Sequence, residues 1–271
     1  SKTTVNPRIA IKYELTPSLV LRANVGTGFR APYGFSEDLH LCSGSPRVWK
    51  SSNLKGERAI SYNLSADYYA KKYQFSINIF RTNLKDKIQF SPADDEVKKF
   101  GYSYQWENVD DAYVQGVELG AKANLFRNFN AGINWTFNQG KFKHERADWS
   151  DPNDETVKEF PQRLQYAKDS RNISRFPAMT GDIDLDYTPG TWTFSLTSSL
   201  QGRMFIDYNS EDDGVTSKIK KTNTFMIFNC RAAKRFGTCT VYAGAKNIFS
   251  YIQDEKHTDD AAFMYAPVYG A

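Results

Sequence analysis

Apolar and polar residues alternate along this chain with a period of two. In Ile60-Ser-Tyr62-Asn-Leu64-Ser-Ala66-Asp-Tyr68 every second residue is apolar and every intervening one is small or polar. Tyr73-Gln-Phe75-Ser-Ile77-Asn-Ile79 repeats the alternation after only a few residues. The pattern recurs at Ile9/Ile11/Tyr13/Leu15, Leu19/Leu21/Ala23/Val25, Val117/Leu119/Ala121/Ala123 and Phe129/Ala131/Ile133/Trp135/Phe137. It continues through Ile183/Leu185/Tyr187, Trp192/Phe194/Leu196 and Cys239/Val241/Ala243/Ala245. Helical spacing fits none of these stretches. Each reads as a strand with one apolar and one polar face, so the fold class is all-β.

The connections alternate as regularly as the residues. Short turns are expected near Pro17, Lys71, Arg127, Pro189-Gly190 and Gly237. Long polar loops are expected over about residues 31–55, 88–108, 143–175 and 207–222, with another beginning near 252. Every hairpin thus has its short turn on one side and its long loop on the other, as in antiparallel transmembrane β-barrels. A soluble sandwich shows strands of about 5–6 residues with turns every 8–12. Here the strands have room for about 11–16 residues, enough to cross a ~30 Å hydrocarbon layer when tilted. About ten strands are expected, with an eleventh starting near Ala262 and unfinished at Ala271.

The polar face carries Arg22, Asn24, Asn63, Asp67, Asn78, Glu118, Lys122, Asn134, Asp182, Asp184 and Asp186, interspersed with small residues. Such a face suits a wide lumen filled by water or by another domain. Tyr13, Tyr68, Tyr73, Phe126, Phe129, Tyr187 and Trp192 flank the short turns, where amphipathic rings would form an interfacial girdle. The acidic carboxylates at 182, 184 and 186 share one face of one strand and suit contact with lumen water or a plug rather than acid–base chemistry.

Composition removes other classes. The 271 residues include 40% hydrophobic and 15% aromatic positions, too many for a disordered chain. No apolar run approaches the ~20 residues of a membrane-spanning helix. The net charge of +4 is small and dispersed, so nucleic acid is not an expected partner. Cys42, Cys230 and Cys239 lack metal-ligand spacing, and their odd number leaves at least one without an intrachain partner. No metal or cofactor site is expected.

Several segments resemble a known family. Asn6-Pro-Arg8, Tyr13-Glu-Leu-Thr-Pro17 and Gly26-Thr-Gly-Phe-Arg-Ala-Pro32 are similar to a mid-barrel hairpin of TonB-dependent outer-membrane receptors. Asn53-Leu-Lys-Gly-Glu57 resembles the strand-opening NLKPE stretch, with Gly56 where proline is usual. Glu107-Asn108 with Gln115-Gly-Val-Glu118, Arg175-Phe-Pro177 and Lys246-Asn-Ile-Phe249 follow in family order. Phe35-Ser-Glu-Asp-Leu-His40 resembles the version found in Bacteroidetes. The resemblance implies a partial barrel: about ten to eleven strands of a 22-stranded one, residues 1–271 forming its C-terminal portion without the N-terminal plug. It implies active import across the outer membrane of a Gram-negative bacterium, driven by the TonB complex acting on the absent plug. The implied ligand is a ferric siderophore, cobalamin or haem, and outer-membrane lipid surrounds the barrel.

Loop aromatics and cations are the candidates for ligand contact: Arg47, Trp49, Tyr102, Tyr104, Trp106 and Trp149, with His40 in the loop after the Gly-Phe-Arg-Ala-Pro segment. Aromatic faces give large contact area at low entropic cost, and arginine pairs with anionic groups. Trp106 equally suits an anchor at the barrel rim. His144 and His257 lie in separate loops without a second ligand at useful spacing and read as solvated. No nucleophile elbow and no phosphate-cradling glycine loop occurs, so no enzyme is expected. A surface- or carbohydrate-binding β-module and a passive porin are the alternatives; neither accounts for the family segments. An isolated half-barrel would expose two strand edges and its apolar face, so the chain either belongs to a larger barrel or closes into a smaller one.

Overall fold

The computed structural model describes residues 4–32, 48–50, 53–93, 95–208 and 218–252. In chain order the strands are β1 (Arg8–Thr16), β2 (Leu19–Arg30), β3 (Val48–Lys50), β4 (Glu57–Tyr69), β5 (Tyr73–Lys85), β6 (Ile88–Pro92), β7 (Tyr104–Asn108) and β8 (Ala112–Phe126). They continue as β9 (Phe129–Phe142), β10 (Met179–Tyr187), β11 (Trp192–Gln201), β12 (Phe205–Tyr208), β13 (Lys218–Lys221), β14 (Phe225–Phe236) and β15 (Cys239–Ala245). Short helices α1 (Asp95–Lys98), α2 (Ala147–Ser150) and α3 (Glu155–Glu159), and a 3-10 helix over Pro161–Arg171, lie in the connections.

Ten strands form one antiparallel sheet in the order β1-β2-β4-β5-β8-β9-β10-β11-β14-β15. All five expected short turns join neighbours in it. Asn128, Gly190 and Gly237 supply the positive φ that three of these turns need. The sheet does not close: β1 and β15 are its edges and each has one partner among the described residues. The expected eleventh strand lies outside the described residues.

The register runs in continuous rows. Ile11, Ala23, Leu64, Ile79, Val117, Phe137 and Met179 succeed one another across seven strands on the outer face. Along β4 and β5 the large apolar residues of that face are exposed, whereas their polar neighbours are half-buried. This inverts a soluble protein and matches a barrel wall, apolar outside and polar inside. On the inner face side chains bond across strands: Asn63 donates to Asn24 at 3.3 Å, Asn78 to Glu118 at 2.9 Å, and Asn134 to Asp182 at 2.8 Å. Arg22 pairs with Asp67, and Ser195 donates to Asp186 at 2.5 Å. The inner carboxylates are therefore spread along a hydrogen-bonded wall. They form no catalytic pair.

Beside the short turns the aromatics meet as expected. Phe126 stacks on Phe129 at 4.8 Å, Phe129 approaches Tyr187 at 6.4 Å, and Trp192 stacks on Phe194 at 5.7 Å. A bulge between Asn124 and Phe126 brings Phe126 onto the outer face beside Phe129. The Lys234 ammonium lies over the Trp192 ring at 4.7 Å and the Phe236 ring at 4.9 Å.

Two expectations change. β1, β10, β11 and β15 have only nine, nine, ten and seven residues, shorter than the pattern suggested. For β10 and β11 backbone bonding continues past the strand ends, with Gly202 donating to Met179 O, Ala178 to Arg203 O and Arg175 to Phe205 O. The segments read as polar loops at 88–108, 143–175 and 207–222 also carry structure. β6 and β7 extend the β5–β8 hairpin past Asp86, and β12 and β13 extend the β11–β14 hairpin. Their strands of four or five residues are too short to give a period-two signal above the surrounding charge.

Candidate functional site: the loop-end rim

Most of the buried apolar residues among the described residues gather at the loop end, with Val20 and Ala233 buried on the wall near the short turns. Ile88, Trp106, Ala112, Phe142, Trp149, Val157, Ile206 and Phe225 are all buried at the loop end. The rim is thus a packed, folded structure standing on the sheet.

Its first part is the small sheet β3-β7-β6, in which β3 runs parallel to β7. Val48, Trp49 and Lys50 register with Tyr104, Gln105 and Trp106. Trp49 meets Tyr102 edge-to-face at 5.1 Å, and both Trp49 and Tyr104 are exposed. Three of the candidate aromatics are therefore brought to one sheet and its flank, although 53 residues or more separate Trp49 from the other two in sequence. Trp106 belongs to the same strand but is 3% exposed. Its ring packs inward and offers no surface. Arg47 and His40 lie outside the described residues.

Asn108 fastens this sheet to the wall. Its side chain accepts from Lys55 N at 2.7 Å and donates to Lys55 O at 3.0 Å and Asp86 O at 2.7 Å. Glu57 does the same at the next strand, accepting from Ile88 N at 3.0 Å. Gly56 leaves space for an aromatic ring: a Cβ built there would stand 2.6 Å from Phe29 Cζ. At Gly116 a Cβ would stand 2.7 Å from Phe80 Cζ on the inner face. Asn247, with φ 49°, accepts from Tyr251 N and donates to Tyr251 O, both at 2.9 Å. Of the residues in the family-like segments, Asn108, Glu57 and Asn247 thus tie backbone together at the loop end.

The second part is the lobe of α2, α3 and the 3-10 helix. Trp149 is 1% exposed, with the Arg163 guanidinium 4.9 Å above its ring and Tyr166 at its edge, 6.2 Å away. Arg163 donates to Asp148 O at 3.1 Å, and Arg146 grips the Asp148 carboxylate through two nitrogens at 3.1 and 2.9 Å. Asp154 caps α3 by accepting from Thr156 N. Trp149 is the centre of this small core, so its ring is not available to a ligand in this arrangement. Arg163, which sequence reasoning did not single out, is its main partner. The lobe is tied to the wall by Arg171 Nε donating to Phe142 O at 3.3 Å and Ile173 N to Gly140 O at 3.1 Å.

His144 is exposed but not isolated. Its backbone N–H donates to Asp110 Oδ2 at 2.5 Å, and its imidazole lies 3.1 Å from Asp110 Oδ1. Burial pushes the Asp110 carboxyl up, and the two His144 contacts with the Asp111 N–H outweigh it, leaving Asp110 below the ordinary aspartate value. Among the described residues no group of three His, Cys, Asp or Glu side chains could hold a metal. Cys230 and Cys239 are free and exposed on the outer face. Cys42 and His257 lie outside the described residues.

A family model described as "TonB dependent receptor-like, beta-barrel" matches residues 1–248. The chain belongs to that family. TonB-dependent receptors are β-barrels of the Gram-negative outer membrane, and the receptor's apolar outer face and aromatic girdle sit there accordingly. The receptor is similar to the vitamin B12 transporter BtuB of Photobacterium profundum, 33% identical over 116 residues, which are 42% of this chain and 17% of the relative. It is similar to the ferric enterobactin receptor of Pseudomonas aeruginosa, 27% identical over 151 residues, 49% of this chain and 20% of that one. The chain spans about a fifth of the length of these relatives. Among solved structures, the copper transporter OprC superposes with a TM-score of 0.63 at 19% identity, covering 97% of this chain and 37% of that one. That likeness shows the fold.

Proposed function

We propose that the chain is the C-terminal part of the barrel of an active outer-membrane importer. Its ligand is a scarce, porin-excluded molecule of the ferric siderophore, cobalamin or haem class. The TonB complex acts on a plug lying outside this sequence. The observation that carries the reading is the polarity of construction. One end of the wall has tight turns and an aromatic ring, and the other has a folded rim that presents the Trp49–Tyr102 pair and Tyr104 to solvent. A passive pore needs no such rim. The polar inner wall, with Arg22, Asn78, Glu118 and Asp182 in hydrogen-bonded pairs, suits a plug seated inside.

Within this reading Trp49, Tyr102 and Tyr104 contact the ligand, with Arg47 and His40 contributed by the segment leading into β3. Trp106 and Trp149 hold the rim in shape. No step of bond making or breaking is assigned to any residue. The test is ligand uptake by cells carrying the full-length receptor, measured with and without an inner-membrane uncoupler. Abolished uptake supports the importer, and unchanged uptake leaves a passive porin. In the same cells Trp49→Ala with Tyr102→Ala should weaken ligand binding about tenfold or more while leaving the barrel heat-modifiable on gels. Equal binding would remove these residues from the site.

A further inference from the structure

On the outer wall the apolar face stops short of the loops, and the boundary can be followed strand by strand. It falls between Phe137 and Gln139 on β9, Val117 and Gln115 on β8, and Ile79 and Arg81 on β5. On β4 it falls between Ile60 and Arg58, two outward-facing rows further toward the loops, because Ile60 registers with Asn83 and Arg58 with Lys85.

Two concavities meet at the boundary. The lower, of about 880 Å³, is lined by Ile9, Ile11, Val25, Leu64, Ile79 and Phe137. The upper, of about 1630 Å³, is lined by Arg58, Lys85 and Lys143 among others. Arg81 lines both. Its guanidinium is held in place by Gln115 at 2.7 Å, Asn83 at 3.0 Å and the Tyr113 ring at 4.4 Å.

The charge of the upper concavity is unbalanced. Arg58 and Lys85 are direct cross-strand partners and both are exposed. Like charges opposed in this way destabilise a sheet, and neither has an ion pair among the described residues. The two carboxylates nearby are engaged: Asp86 lies 3.9 Å from Lys55, and Asp111 accepts from Asp86 N at 3.2 Å. A basic cleft placed just above an apolar hollow, on the lipid-facing side, complements an anionic amphiphile in shape and charge.

We propose that this junction binds a phosphate-bearing lipid of the outer leaflet. Its acyl chains lie in the lower concavity and its phosphate sits between Arg58, Arg81 and Lys85. The inference needs only the barrel and its membrane, and is independent of which ligand is imported.

The experiment uses the full-length receptor in zwitterionic detergent, titrated by native mass spectrometry with bis-phosphorylated lipid A and with the same lipid after dephosphorylation. The wild type and a control at a short turn, K71Q/K72Q, should prefer the phosphorylated lipid about tenfold, and R58Q/K85Q should lose that preference. Equal binding of both lipids by the wild type, or an intact preference in R58Q/K85Q, would overturn the proposal. So would complete displacement by millimolar inorganic phosphate, which would mark a site for soluble anions. Heat-modifiable migration checks that each barrel is folded; if the double variant fails it, R58Q and K85Q are read singly.

Discussion

Asn108 and Lys55, 53 residues apart, exchange two hydrogen bonds, side chain to backbone in both directions. A third, from Asn108 to Asp86 O, draws in the end of the β5 strand. One amide thus satisfies three backbone groups where three chain segments meet, and the sheet carrying Tyr104 stands on that junction.

Asn108→Ala strands those backbone groups, at a local cost of about 1–3 kcal/mol each where water cannot replace the bond. The expected outcome is faster hydrogen exchange at Lys55 and in β6 and β7, with exchange in β8 and β9 unchanged. Asn108→Asp keeps the acceptor for Lys55 N and loses both donors, so it should fall between the two. An unchanged exchange pattern would show that the rim is held by its other contacts.

The rim lobe depends on one indole. Trp149→Ala removes the ring under Arg163 and leaves a cavity, worth about 3–5 kcal/mol at a fully buried site. The guanidinium loses its cover at the same time. Limited proteolysis should then cut within residues 147–171 while the ten-stranded wall resists.

Gly56 and Phe29 form a steric pair. Gly56→Ala should destabilise the rim by about 1–3 kcal/mol, because the added methyl meets the Phe29 ring. Phe29→Ala in the same molecule should recover most of the loss. A double-mutant cycle without coupling would place the ring elsewhere.

Acid should loosen the clip between Asp110 and His144. The folded aspartate lies below its ordinary value of 3.8, so the stabilisation is full above that value and is lost as pH falls through the lower folded one. Hydrogen exchange at His144 N, followed down the acid limb, is the readout. Asp110→Asn should flatten it.

Cys230 tests the assignment of the outer face. It sits in the register row containing Leu196 and Ala245, on the lipid side. In membranes it should resist maleimides, because a thiolate does not form in hydrocarbon, and it should react once the barrel is unfolded in denaturant. Prompt labelling by a membrane-impermeant maleimide in intact membranes would turn that face toward water.

What the sequence determined by itself is the wall. A strand's side chains alternate strictly, so Ile60 to Tyr68 declares which residues face lipid and which the lumen without reference to any partner. The five turns, the ten strands and the girdle follow from the same local rule. Tertiary structure decided the rim. Trp49 and Tyr102 meet only because β3 lays itself parallel to β7, and no local pattern encodes a parallel pairing across more than 50 residues. Trp106 and Trp149 looked like Trp49 in sequence, all three being aromatics in polar segments. Burial separated them, and burial is set by what packs on top: for Trp149, Arg163 and Tyr166 from the 3-10 helix. The cleft at Arg58, Arg81 and Lys85 is likewise invisible along any one strand, because cross-strand register assembles it, setting Arg58 opposite Lys85 and Arg81 opposite Gln115.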